Sequence, residues 1–213
     1  MGTIEIETVH GVAVAHVRPV AEPRGRLVLG HGAGGGVAAP DLTAVAGAAH
    51  EAGFVVVLVE QPYRVAGRRA PPRAPVLDEA WTAVLMHLRA TESAAPRPLV
   101  VGGRSSGARV ACRTAAATGA DGVLCLAFPL RRARREGRPE PATRLPELDQ
   151  VNVPVLVVQG ARDPFGIPPA APGRTVRTVT GDHALRADLD AVRDVVSTWL
   201  LDLTDRTATP GRA

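Results

Sequence analysis

The chain has 213 residues, 46% of them hydrophobic, with a formal net charge of +4 and an isoelectric point near 10.3. A single domain of this size buries roughly 70–75% of the surface its unfolded form exposes, so no second core is required. All 25 basic residues are Arg, and the densest cluster (Arg131, Arg132, Arg134, Arg135 and Arg138) lacks the interleaved aromatics of a base-stacking surface, so no nucleic-acid partner is expected.

At the N-terminus no basic stretch precedes an apolar one, and no apolar run approaches the length of a membrane span, so neither export nor membrane insertion is expected. Cys112 and Cys125 lie in apolar runs without CxxC or zinc-ligand spacing, which makes them core residues of a reduced, cytoplasmic protein. No metal or organic cofactor is called for, and nothing in the sequence speaks to oligomeric state.

Residues 3–9 and 11–17 alternate or run β-branched around a turn at His10 and Gly11, which predicts an antiparallel hairpin. Beyond it the pattern changes. Residues 26–30, 54–60, 98–102, 122–127, 154–160 and 174–179 are short, nearly continuous apolar runs, as expected of strands covered on both faces. Helical spacing separates them: a helix opening at Pro40, with Asp41 as a cap candidate, then residues 77–88, 106–118 and 189–203. Strand alternating with helix predicts a mostly parallel sheet with helices on both faces and functional residues in the loops at the strands' carboxyl ends. One domain over residues 1–204 is expected, followed by a frayed tail over 205–213; residues 129–150 are the longest loop.

One such loop holds Gly102, Gly103, Arg104, Ser105, Ser106 and Gly107, directly before the helix at Ala108. Gly103, Ser105 and Gly107 fit G-x-S-x-G in a strand-turn-helix setting, where the serine is held at a sharp turn and flanking residues leave no room for a β-carbon. The same glycines would also suit an ordinary strand-to-helix turn. A serine hydroxyl needs a base to become a nucleophile, and His183, after the last apolar strand and before the final helix, is the best placed of the six histidines. Asp163, after residues 154–160, is the acid that would fix the imidazole tautomer; Asp182 is its rival, hampered by being adjacent to His183 in sequence. The run Gly30, His31, Gly32, Ala33, Gly34, Gly35 and Gly36 exposes backbone amides at the same edge, and the amides of Ala33 and Ser106 are the candidate oxyanion donors.

Taken in order, His31-Gly32-Ala33-Gly34-Gly35, Pro62-Tyr63-Arg64 with Gly67-Arg68-Arg69, Gly102-Gly103-Arg104-Ser105-Ser106-Gly107, Phe128-Pro129-Leu130, Gln159-Gly160 with Arg162-Asp163-Pro164-Phe165, and Asp182-His183 form a set. It resembles the small α/β-hydrolase branch near dienelactone-hydrolase-like proteins, which also includes a scaffolding subunit of a chromatin-modifying complex. The resemblance implies an α/β-hydrolase fold and a Ser-Asp-His hydrolase but leaves the substrate open; residues 129–150, polar and short for a helical cap, leave little room for a lid domain, so a small soluble ester is the expected substrate. Dienelactone hydrolases themselves carry Cys where Ser105 stands. Two other readings stay open: a silent scaffold of the same fold, and a nucleotide-binding oxidoreductase, since Gly30, Gly32 and Gly35 also satisfy G-x-G-x-x-G with Glu60 ending the next strand. The arginines at 104 and 131–138 are read as surface charge, with attraction of an anionic substrate as the alternative.

Overall fold

A computed structural model describes residues 2–91, 96–132 and 140–208 of the chain. Strands β1 (Gly2–Thr8) and β2 (Gly11–Arg18) form the expected hairpin. After them come β3 (Gly25–Gly30), α1 (Pro40–Glu51), β4 (Phe54–Glu60), α2 (Pro62–Val65), α3 (Ala74–Ala90) and β5 (Leu99–Arg104). The chain continues through α4 (Ser106–Thr118), β6 (Gly122–Leu126), α5 (Leu145–Asp149), β7 (Val155–Gly160), β8 (Arg174–Val179) and α6 (Leu189–Ala208).

All eight strands join one sheet in the order β1-β2-β4-β3-β5-β6-β7-β8. Pairing is antiparallel from β1 to β2 and from β2 to β4, and parallel from β4 to β8. This is the α/β-hydrolase fold with an N-terminal antiparallel hairpin.

The continuous apolar runs are explained by burial on both faces. In β4, Val55, Val57 and Val59 belong to the buried cluster that includes Trp81 and Val84 of α3 and Val110 of α4, while Phe54, Val56 and Leu58 belong to the one that includes Leu42 and Val45 of α1 and Val196 of α6. Each such side chain taken from water contributes about 1.5–3 kcal/mol. A polar residue on either face of these strands would leave that gain unrealised.

Several boundaries differ from those expected. Helix α3 starts at Ala74 rather than residue 77, and α6 continues to Ala208, so residues 205–208 are helical where a tail was expected. The turns α2 and α5 had no sequence signal beyond a proline in their first turns. Asp41 does not cap α1: the cap position is Ala39, without a side-chain bond, and Asp41 lies inside the first turn, fully buried. Helix α1 begins five residues past Gly35, so that glycine is not in the first helical turn as a dinucleotide fingerprint requires. Glu60 lies 3.5 Å from His16 on the hairpin.

Parallel pairing places the carboxyl ends of β3, β5, β7 and β8 on one rim. There the glycine run, Ser105, Asp163 and His183 come together.

Candidate active site

Ser105 stands between β5 and α4 with φ 53° and ψ −106°, a left-handed conformation that costs a non-glycine residue on the order of 1–3 kcal/mol. The turn is held by its amide, which donates to the Leu126 carbonyl on β6 at 2.9 Å. Its sharpness depends on the flanking glycines. A β-carbon at Gly103 or at Gly107 would fall 2.4 Å from the Gly30 carbonyl oxygen. The elbow spacing expected from the sequence therefore corresponds to backbone-on-backbone contact between β3, β5 and α4.

Ser105 Oγ lies 2.9 Å from His183 Nε2, and His183 Nδ1 lies 2.8 Å from Asp163 Oδ2. An ionised carboxylate only accepts, so Nδ1 carries the imidazole proton and Nε2 is left to accept from the serine hydroxyl. The Asp163 side chain is shielded from solvent, whereas the imidazole is 18% exposed, so the acid faces the interior and the base faces the rim. Asp182, the rival acid, is exposed and accepts from the Ala184 amide instead.

Two contributors at this acid were missed in the sequence. The buried Gln159 side chain donates through Nε2 to Asp163 Oδ2 at 2.7 Å, and also reaches the carbonyls of Phe128 and Gly166. The Phe165 amide donates to Asp163 Oδ1 at 2.8 Å, while its ring packs edge-on to the His183 imidazole with centroids 4.4 Å apart. A glutamine interrupting an otherwise apolar strand end was the available signal for Gln159.

The glycine run after β3 is fixed by His31 and Tyr63. The Gln61 amide donates to His31 Nε2 at 3.1 Å, so the proton resides on Nδ1, which donates to the Gly32 carbonyl at 2.9 Å. Burial holds the imidazole pKa below its ordinary value and keeps the ring neutral. The Gly32 carbonyl also receives the Gly35 amide at 3.2 Å. Because a trans peptide directs its N–H opposite to its C=O, the Ala33 amide points away from His31 and Gly35. Tyr63 donates its hydroxyl to the Ala33 carbonyl at 2.9 Å, and burial pushes the phenol up to about 12, so it stays a donor. Gly32 passes close to Ser105: a β-carbon there would lie 3.7 Å from the serine Cβ. Gly34 is exposed at the tip of the run. Ser106 is the first residue of α4, so its amide has no acceptor within the helix and adds to the positive end of the helix dipole.

Arg104 is not the surface charge expected of it. Its side chain is 20% exposed, with Nε 2.8 Å from Asp41 Oδ2 and one terminal nitrogen donating to the His183 carbonyl at 3.1 Å. Arg131 is exposed and pairs with Glu140, Arg132 is exposed, and Arg134, Arg135 and Arg138 lie outside the described residues. No helix among the described residues is long and apolar enough to cross a membrane.

Comparison with known proteins agrees with this fold. Est1E from Butyrivibrio proteoclasticus superposes with a TM-score of 0.77 at 15% identity, over 96% of this chain and 100% of that one. A serine hydrolase without a lid from Xanthomonas campestris gives 0.69 at 21% identity, over 100% and 96%. An esterase from Pyrobaculum calidifontis gives 0.66 at 18% identity, over 98% and 85%. At these identities the likeness establishes the fold. No curated protein matches the chain. The alpha/beta hydrolase domain family matches residues 23–186, well over half of the sequence, and the chain belongs to that family.

Proposed function

We propose that the chain is a serine hydrolase that cleaves a small, soluble ester or related carbonyl through an acyl-enzyme. One observation carries the proposal: an unbroken hydrogen-bond path from Ser105 Oγ through the His183 ring to Asp163, at 2.9 and 2.8 Å, with the serine on a strained turn.

In this reading Ser105 Oγ attacks the carbonyl carbon as its proton passes to His183 Nε2, and Asp163 steadies the imidazolium. The carbonyl oxygen becomes an oxyanion held by the amides of Ala33 and Ser106, each such donor being worth about 2.7–4 kcal/mol in comparable chemistry. Collapse breaks the bond to the leaving group, which takes the proton from His183. Water, deprotonated by His183, then attacks the acyl carbon and frees Ser105. A small substrate is favoured because the described part of the β6–β7 connection holds only the short helix α5, whose Glu147 pairs with Arg109 of α4. Within the family, the segments quoted above support kinship with the dienelactone-hydrolase-like branch, with serine in place of cysteine.

A fluorophosphonate probe tests the assignment. Wild-type protein should be labelled stoichiometrically, Ser105→Ala should not be labelled at all, and Ser106→Ala should still react. Failure of folded wild type to react, together with failure to hydrolyse short p-nitrophenyl esters, would leave the fold as a non-catalytic scaffold.

A further inference from the structure

We infer that Arg104 is a positioning residue for the acyl-transfer chemistry proposed above, acting as a charged strut that holds His183 and the glycine run in register with Ser105. The inference rests on where the guanidinium ends up. It leaves the chain one residue before Ser105, so what anchors the guanidinium is tethered directly to the elbow.

From there it meets three other elements. Its Nε reaches Asp41 in the first turn of α1 at 2.8 Å. One terminal nitrogen donates to the backbone carbonyl of His183, 79 residues away, at 3.1 Å. The other lies 2.9 Å from where a Gly32 β-carbon would sit, so the guanidinium plane packs on the glycine run where that residue has no side chain. A single side chain thus connects the nucleophile's turn, the amide-bearing loop and the base-bearing loop.

Asp41 makes the strut rigid. It is fully buried, and burial raises its carboxyl pKa while Arg104 opposes that rise. A buried carboxylate is costly without a counter-charge, so Asp41 draws the guanidinium toward α1. Because Arg104 grips the main chain of residue 183, the imidazole ring remains free to exchange protons at Nε2 while its own anchor is fixed. On the far side the same loop is held by the segment after β7: the Arg162 amide donates to the Gly181 carbonyl at 2.9 Å.

Geometry also predicts which replacements fail. A lysine keeps the charge but presents a compact ammonium that cannot span Asp41, the His183 carbonyl and the glycine run at once. Arg104→Met alone would strand the Asp41 charge and endanger folding, so the informative pair is Arg104→Lys and the double variant Asp41→Asn/Arg104→Met, which removes both charges together.

Two readouts on the full chain test this. In ester hydrolysis by folded variants, kcat should fall by about 10- to 100-fold in both, with KM within about twofold of wild type, because substrate contacts are untouched while the base is misplaced. In proton NMR without substrate, the low-field resonance of the His183 Nδ1 proton, present in wild type and absent in His183→Gln, should broaden or vanish in both variants. Wild-type kcat in a folded double variant, or a sharp unshifted resonance in it, overturns the strut. A protein that hydrolyses nothing yet loses that resonance in the variants retains the strut and loses the acyl-transfer reading.

Discussion

Gly160 at the end of β7 touches the main chain of Asp182: a β-carbon at residue 160 would lie 2.2 Å from the Asp182 carbonyl oxygen and 2.9 Å from that of Gly181. The acid-bearing loop and the base-bearing loop are therefore packed backbone against backbone, and His183 follows immediately. Gly160→Ala must open the contact between the two loops by about an ångström. A displacement of that size in a general base typically costs about 10²-fold in rate. The expected result is a fall of that order in fluorophosphonate labelling rate, with a loss of about 1–3 kcal/mol in urea unfolding from the added volume. Wild-type labelling in Gly160→Ala would mean that the two loops are not mechanically linked.

Gln159 gives the second prediction. Its Nε2 faces three acceptors, and Gln159→Leu leaves Asp163 Oδ2 with His183 alone while the Phe128 and Gly166 carbonyls lose a buried donor. Each buried acceptor left unsatisfied costs about 1–3 kcal/mol, so the variant should unfold at clearly lower denaturant. Gln159→Glu should be worse at neutral pH, since it sets a carboxylate against Asp163, and should recover part of its stability in acid as one of the pair protonates. Chemical denaturation at pH 7 and pH 5 reads both effects. Equal stability of the Glu and Leu variants at the higher pH would count against the donor role.

What the sequence disclosed, and what it hid, follows from the range over which each signal acts. The sheet was legible because strands buried on both faces leave continuous apolar runs, and the elbow because its glycines, although required by the Gly30 carbonyl on β3, fall within one five-residue pattern around the serine. Asp41 was misread as a cap because its true partner is 63 positions away, and no local pattern separates a capping Asp from a buried counter-ion. Arg104 was misread for the same reason. Gly160 resembled a strand-ending glycine, yet its necessity comes from the carbonyl of residue 182 in another loop. Only Gln159 carried an unused clue, a polar residue in an apolar strand.

Cys112 on α4 and Cys125 on β6 lie with their sulfurs 3.4 Å apart beneath the elbow, both buried as free thiols. Hydrogen bonding to Cys112 and then burial push the Cys125 thiol well up. Thiolate, the reactive form, is correspondingly scarce in the folded protein. Ellman's reagent should leave folded protein essentially unmodified and titrate both thiols in guanidinium. Modification in native buffer at the rate of a free cysteine would show that the helix opens over β6 far more often than its packing implies.

His31 makes a pH prediction with a definite sign. Its folded pKa is depressed below 6.5 by burial, so the unfolded chain binds the proton more readily than the native one. Stability from this group is present above its unfolded pKa and is lost as pH falls through the folded value. The structural reason is direct: a proton on Nε2 would face the Gln61 N–H, turning an accepted bond into two opposed donors. His31→Gln removes the titration, so the difference in melting temperature between wild type and variant should shrink as pH is lowered from about 7.5 to about 5. Calorimetric scans across that window would show the two curves converging toward acid. Parallel curves would mean that His31 binds its proton equally well in the folded and unfolded chain, and that burial does not hold the imidazole uncharged.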